Sequence, residues 1–149
     1  MENKNISNAA TLLNQMHKNV TMGSESLTTV TPYIKDKFLL SNVTSQLEKY
    51  AEFTIATEAL LSKHGTTPEK TSPLKKAAAG VGVKLSASFD PTDKHVAQMI
   101  EKGTKKGAHQ LESQLCESGF HTADREVVAL CKAIIDFELE ESDKIKDYT

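Results

Sequence analysis

The chain has 149 residues, of which 38% are hydrophobic and 26% are charged, and it contains no Trp. This length fits a single domain, and the composition favours long amphipathic helices over a β-sandwich or a disordered tail. The 18 basic and 20 acidic residues leave a net charge of −2 and are spread along the chain, so nucleic acid is not an expected partner.

The first residues and the cysteines bear on location. Residues 1–8 are polar and lack the apolar segment of a secretory signal, and no later stretch is long and apolar enough to span a bilayer. Cys116 and Cys131 belong to no Cys-x-x-Cys motif, and Cys131 is interpreted as a small buried hydrophobe. The sequence therefore predicts a cytoplasmic protein that does not insert into membranes.

The first helix is predicted over about residues 8–31. Its apolar residues recur at alternating spacings of three and four, which is typical of one buried helical face. This face consists of Leu13, Met16, Val20, Gly23, Leu27, Val30 and Ile34. Pro32 should disturb the last turn, because proline disfavours the helical conformation in the residue before it.

The second helix is predicted over about residues 36–64, with Asp36 as its N-cap and Gly65 just past its end. Its predicted buried face consists of Leu40, Val43, Leu47, Tyr50, Thr54 and Leu61. The short connection between the first two helices predicts an antiparallel pair.

A second apolar surface is predicted on the same helix. Phe38, Leu39, Phe53, Ile55 and Leu60 lie outside its main face. Because large exposed apolar patches mark interaction surfaces, these residues predict a homodimer or a higher homo-oligomer. Part of the surface could instead be covered by the segment that follows.

Residues 65–91 are predicted to form a crossover to the second half of the domain. Leu74, Ala78, Val81 and Leu85 keep a helical spacing, which indicates a short helix weakened by glycine and lying across the bundle.

The third and fourth helices are predicted over about residues 92–117 and 123–147. The inward face of the third consists of Val96, Ile100, Gly103, Thr104, Gly107, Leu111 and Leu115. That of the fourth consists of Val127, Leu130, Ile134, Phe137, Glu141 and Ile145. No β alternation competes, so the predicted fold is all-α, an antiparallel four-helix bundle.

A bundle of this kind raises the possibility of a di-iron site, which needs inward glutamates and a Glu-x-x-His pair on each of two helices. None of the five histidines follows an acidic residue by three positions. The inward carboxylates that remain as weak metal candidates are Glu58, Glu138 and Glu141. The sequence therefore predicts no metal or other cofactor, with iron as the alternative.

Glycines inside helices are the more specific feature. Gly23, Gly103 and Gly107 fall on predicted buried faces, where each costs about 1 kcal/mol relative to alanine. They predict either close approach of two helices or space for a ligand or another copy of the chain. If the crossover runs the length of the bundle, they share one depth with Tyr50 and Glu138, which predicts a polar layer in which the tyrosine hydroxyl or a water bonds the carboxylate.

The layout resembles the ferritin-like superfamily and, within it, a bacterial family of four-helix bundles of unknown function, some of them associated with stress. The motifs that carry the resemblance are Leu12-Leu13-Asn14, the junction Ile34-Lys35-Asp36, the helix end His64-Gly65, the Ala/Gly crossover, Asp93-Lys94-His95 and Glu101-Lys102-Gly103. The resemblance implies two helix pairs joined by a long crossover. No metal ligand carries over, since the Glu-x-x-His pairs are missing.

Two functional hypotheses follow. The first is a non-enzymatic bundle that self-associates or binds a partner, and the absent ligand pairs and interior glycines favour it. The resemblance implies that this bundle is stress-related. The alternative is a degenerate di-metal carboxylate oxidoreductase or iron-binding protein, which only the three inward glutamates favour.

Overall fold

The computed structural model describes residues 2–68, 87, 90–118 and 124–149. These residues form four helices, α1 (Glu2–Val30), α2 (Lys37–Lys63), α3 (Asp93–Ser118) and α4 (Arg125–Ile145), with short 3-10 turns at Thr31–Tyr33 and Lys146–Tyr148. The described part of the chain contains no strand, so the all-α class is confirmed for it. None of its helices is long and apolar enough to cross a membrane.

The helix ends follow from local chemistry. α1 begins at Glu2, earlier than the predicted start near residue 8. The Asp36 carboxylate accepts hydrogen bonds from the N–H groups of Phe38 and Leu39, which confirms the predicted N-cap. At the other end of α2, Gly65 adopts a positive φ of 69°, a conformation that glycine reaches without the steric cost of a Cβ.

The four helices pack around one apolar core. α1 packs against α2 and α3, and α4 packs against α3 and α2. Polar side chains also join the helices. Gln114 Nε2 on α3 donates to Gln15 Oε1 on α1 at 2.9 Å, and His17 Nε2 on α1 lies 3.0 Å from Glu58 Oε1 on α2. At the helix ends, His64 Nε2 after α2 lies 2.7 Å from Asp124 Oδ2 before α4.

Asp93 joins the start of α3 to the connection between α1 and α2. Its two carboxylate oxygens accept hydrogen bonds from the backbone N–H groups of Lys35 and Asp36, each at 2.8 Å. The carboxylate therefore holds one end of the bundle together.

The buried face of α2 differs from the predicted one. Leu40 is exposed, and Leu47 and Thr54 are half-buried. The buried positions are Leu39, Val43, Gln46, Tyr50, Phe53, Thr57 and Leu61. Because α2 carries apolar residues on more than one side, its periodicity alone could not select the inward face. The predicted exposed strip is consequently wrong in part, since Leu39 and Phe53 are buried while Phe38 and Ile55 are exposed.

The predicted crossover helix near residues 74–85 lies outside the described residues. Cys131 is fully buried on α4 and Cys116 is exposed on α3, so Cys131 occupies the position expected of a small hydrophobe.

Candidate functional site

The centre of the bundle contains a hydrogen bond between two buried side chains. The Tyr50 hydroxyl on α2 donates to Glu138 Oε2 on α4 at 2.9 Å. Tyr50 is 1% exposed and Glu138 is 2% exposed. The Tyr50 ring is further held by an edge contact with Phe137, with ring centroids 5.3 Å apart. The tyrosine is therefore fixed at both its ring and its hydroxyl.

Burial changes the acidity of this pair. Burial raises the pKa of Glu138 to about 7, although hydrogen bonds from Tyr50 and Asn19 act in the opposite direction. The pKa of Tyr50 is raised as well, first by burial and then by the nearby Glu138 carboxylate. Glu138 is thus a buried group whose charge changes near neutral pH, while Tyr50 stays protonated.

Glycines on α1 and α3 make room for the pair. A Cβ added to Gly23 would lie 2.7 Å from Tyr50 Cζ, and one added to Gly107 would lie 3.2 Å from Glu138 Oε2. Asn19 Nδ2 donates to the Gly107 carbonyl at 3.1 Å. The two glycines therefore let an aromatic ring, a carboxyl group and an amide meet where side chains would otherwise collide.

A cavity of about 460 Å³ lies between α1 and α3, and Tyr50 and Glu138 contribute to its wall. Its lining includes Lys18, Met22 and Lys106, which are exposed, so the cavity opens to solvent. This volume is in the range of small-molecule sites, which lie between helices in many bundles. The remaining lining residues are Gln15, Asn19, Gly23, Ser26, Leu27, Val30, Met99, Ile100, Gly103, Thr104, Gly107, Gln110, Leu111 and Gln114.

Gly103 corrects one prediction. It is exposed, and a Cβ placed there would meet no atom within 4 Å. α3 directs Thr104 and Ala108 into the core instead, which leaves Gly103 beside the cavity. At Gly103, the prediction that the glycine permits close approach of two helices is therefore wrong.

The three weak metal candidates do not share one environment. Glu58 was expected to face inward, but its side chain is 50% exposed and lies against His17. Glu141 forms an ion pair with Lys144 at 3.2 Å. Glu138 alone among them lines the cavity. In the part of the chain that the structure describes, no three His, Cys, Asp or Glu side chains are grouped so that they could hold a metal ion.

Sequence reasoning did not identify Asn19, and it gave space for a ligand at the interior glycines only as one of two alternatives. Asn19 precedes Gly23 by four residues, as Gly103 precedes Gly107, and this spacing places each pair on one side of its helix. That signal was present, but only the packing of α1 against α3 shows that the two pairs line the same cavity.

Comparison with models of known protein families, with curated proteins and with solved structures finds no match for this chain.

Proposed function

We propose that this protein is a non-enzymatic four-helix bundle that binds a small organic molecule in the cavity between α1 and α3. The observation that carries the proposal is the buried Glu138 carboxyl group in the wall of an open cavity of about 460 Å³. A carboxyl group this deeply buried is costly unless a partner compensates it. A bound molecule with a hydrogen-bond donor would supply that compensation.

The proposed arrangement of the helices is antiparallel and ferritin-like. As residue numbers rise along α1, their partners fall along α2, from Glu58 to Tyr50, and along α3, from Gln114 to Gly107. These contacts support α2 and α3 running in the same direction. Residues 64–92 would then connect opposite ends of the bundle, as in the proposed crossover.

Self-association through α2 is a second candidate, favoured by Phe38 and Ile55, which are 65% and 69% exposed. The two residues are about 25 Å apart along the helix at 1.5 Å per residue. A second copy would therefore have to cover most of α2 to bury both.

The cavity proposal is tested by blocking the cavity without disturbing the fold. Gly103→Phe should fill it, because a side chain at this position meets no neighbouring atom within 4 Å. Lys102→Phe is the matched control, since Lys102 is exposed and lies outside the cavity lining. Saturation-transfer NMR would screen small aromatic amines, alcohols and carboxylic acids against the wild type and both variants.

We expect some of these fragments to bind the wild type and Lys102→Phe but not Gly103→Phe, with all three proteins giving the same helical circular dichroism. Binding that Gly103→Phe retains would contradict the proposal. So would a screen in which no fragment binds the wild type.

A further inference from the structure

Two side chains that line the cavity carry hydrogen-bond acceptors that the described protein residues do not satisfy. Glu138 Oε1 and Asn19 Oδ1 are buried without a hydrogen-bond partner among these residues. The other polar atom of each side chain is occupied, since Glu138 Oε2 accepts from Tyr50 and Asn19 Nδ2 donates to Gly107. Buried polar atoms are nearly always paired in folded proteins, so this region requires a donor.

The two side chains that carry these acceptors lie on the same side of the cavity. A Cβ at Gly107 would lie 3.2 Å from Glu138 Oε2 and 3.3 Å from Asn19 Nδ2, so the carboxyl and amide groups meet beside one glycine. Both acceptor atoms are shielded from solvent in the structure, so a single ligand group with two or three N–H donors would reach both of them after a rotation of the Glu138 and Asn19 side chains toward the cavity.

The expected charge of the ligand group follows from the absence of a cationic partner for Glu138 among the described residues. Among the described residues, no Lys, Arg or His forms an ion pair with Glu138. An ionised carboxylate in such a position is stabilised most by a cation that also donates hydrogen bonds. The exposed Lys18 and Lys106 at the opening would repel a cation, but solvent and salt weaken the repulsion from exposed charges.

The rest of the cavity accepts an apolar body. Leu27 and Val30 on α1 and Met99 and Ile100 on α3 continue the lining beyond Glu138. Apolar walls with a few convergent polar groups are typical of small-molecule sites.

We propose that the cavity binds a protonated primary amine with an apolar body, whose ammonium group donates to Glu138 Oε1 and Asn19 Oδ1. This inference rests on the proposed function and names the class of its ligand. The apolar part lies between α1 and α3, against Leu27, Val30, Met99 and Ile100.

Binding should depend on pH, because the ammonium group requires the ionised carboxylate. The groups that face Glu138 are the Tyr50 hydroxyl from α2, the Asn19 amide from α1, the Gly107 backbone from α3 and Cys131 on α4. Burial raises the pKa of Cys131 to about 12 and that of Tyr50 also increases, so neither ionises near neutral pH. With the pKa of Glu138 at about 7, affinity should fall roughly 100-fold from pH 8 to pH 5.

The test uses three probes of similar size, phenethylamine, 2-phenylethanol and 3-phenylpropanoate, titrated into the full chain by calorimetry or ligand-observed NMR. We expect phenethylamine to bind at least tenfold more tightly than the other two at pH 8 and to weaken strongly at pH 5. Glu138→Gln should lose most of this binding and its pH dependence. Glu112→Gln, a change at a carboxylate outside the cavity, should retain both.

Each other outcome has a definite meaning. Tighter binding of the alcohol or the carboxylate would overturn the amine inference while leaving the proposed ligand-binding function intact. Binding of phenethylamine that is equal at pH 5 and pH 8 in the wild type would also overturn it, whether or not Glu138→Gln folds. If none of the probes binds and the fragment screen is also empty, the proposed function itself fails.

Discussion

At the scale of single residues, the glycines of the helix interiors have opposite roles. Gly23 lies against the Tyr50 ring. This ring is held in place by the hydrogen bond from the Tyr50 hydroxyl to Glu138 and by the ring contact with Phe137. Gly103 faces open space. The same residue type in the same kind of helix is therefore required by packing at one position and not at the other.

Alanine substitutions should separate these roles. Gly23→Ala places a methyl group 2.7 Å from Tyr50 Cζ, and such overpacking should lower the free energy of unfolding by about 1–3 kcal/mol. Gly103→Ala meets no atom and should raise it by about 0.5–1 kcal/mol through better helix propensity. Urea denaturation of both variants measures the difference. Equal midpoints would show that Tyr50 moves aside without cost.

Glu138 should make stability depend on pH. Its pKa is about 7 in the folded protein and near 4.3 in an unfolded chain, so the folded state binds more protons between these values. Protonation of Glu138 therefore stabilises the folded state by roughly 4 kcal/mol below the unfolded pKa, and this stabilisation is lost as pH rises through 7.

Glu138→Gln removes this titration, and its amide could donate to Asn19 Oδ1. Between pH 4.5 and pH 7.5 the wild type should therefore lose roughly 3 kcal/mol relative to Glu138→Gln, measured by urea denaturation at each pH. Glu112→Gln should follow the wild type. Parallel curves for all three proteins would mean that Glu138 titrates near its ordinary pKa.

At the scale of the helices, side-chain carboxylates determine where elements begin and how they join. Asp36 and Asp124 cap α2 and α4. Asp124 also contacts His64 at the end of α2. Burial alone would raise the pKa of Asp124, but hydrogen bonds from Val127, His64 and Glu126 together lower it. Asp124 thus acts on a neighbouring element as well as on its own helix.

Asp93 provides the sharpest test at this scale. In the wild type, the backbone N–H groups of Lys35 and Asp36 both donate to the Asp93 carboxylate. In Asp93→Asn, one carboxylate oxygen is replaced by an NH₂ group, which would face one of these two N–H donors. The lost charge-assisted bond should lower the free energy of unfolding by roughly 1–2 kcal/mol. Asp136→Asn, at an exposed position of α4, is the control and should be nearly neutral in thermal melts. Similar losses in both variants would contradict the role of Asp93.

At the scale of the whole molecule, the packing of α1 against α3 creates the cavity, and the packing of α2 against α4 supplies its polar wall. The site therefore requires all four helices. Self-association stays a prediction, and sedimentation velocity at high protein concentration is its measurement. Burial of Leu39 and Phe53 reduces the apolar surface available for it.

The sequence by itself determined the helices, because periodicity and capping are local properties. It identified the faces of α1 containing Leu13, Met16 and Val20, the cap at Asp36 and the helix end at Gly65. Tertiary structure decided which side of α2 faces inward, because that helix is apolar on several sides and only its neighbours select among them. It also decided that Gly103 borders a cavity while Gly23 contacts Tyr50, and that Asn19 joins Glu138. These relations depend on the distances and rotations between helices, which no periodicity within a single helix specifies.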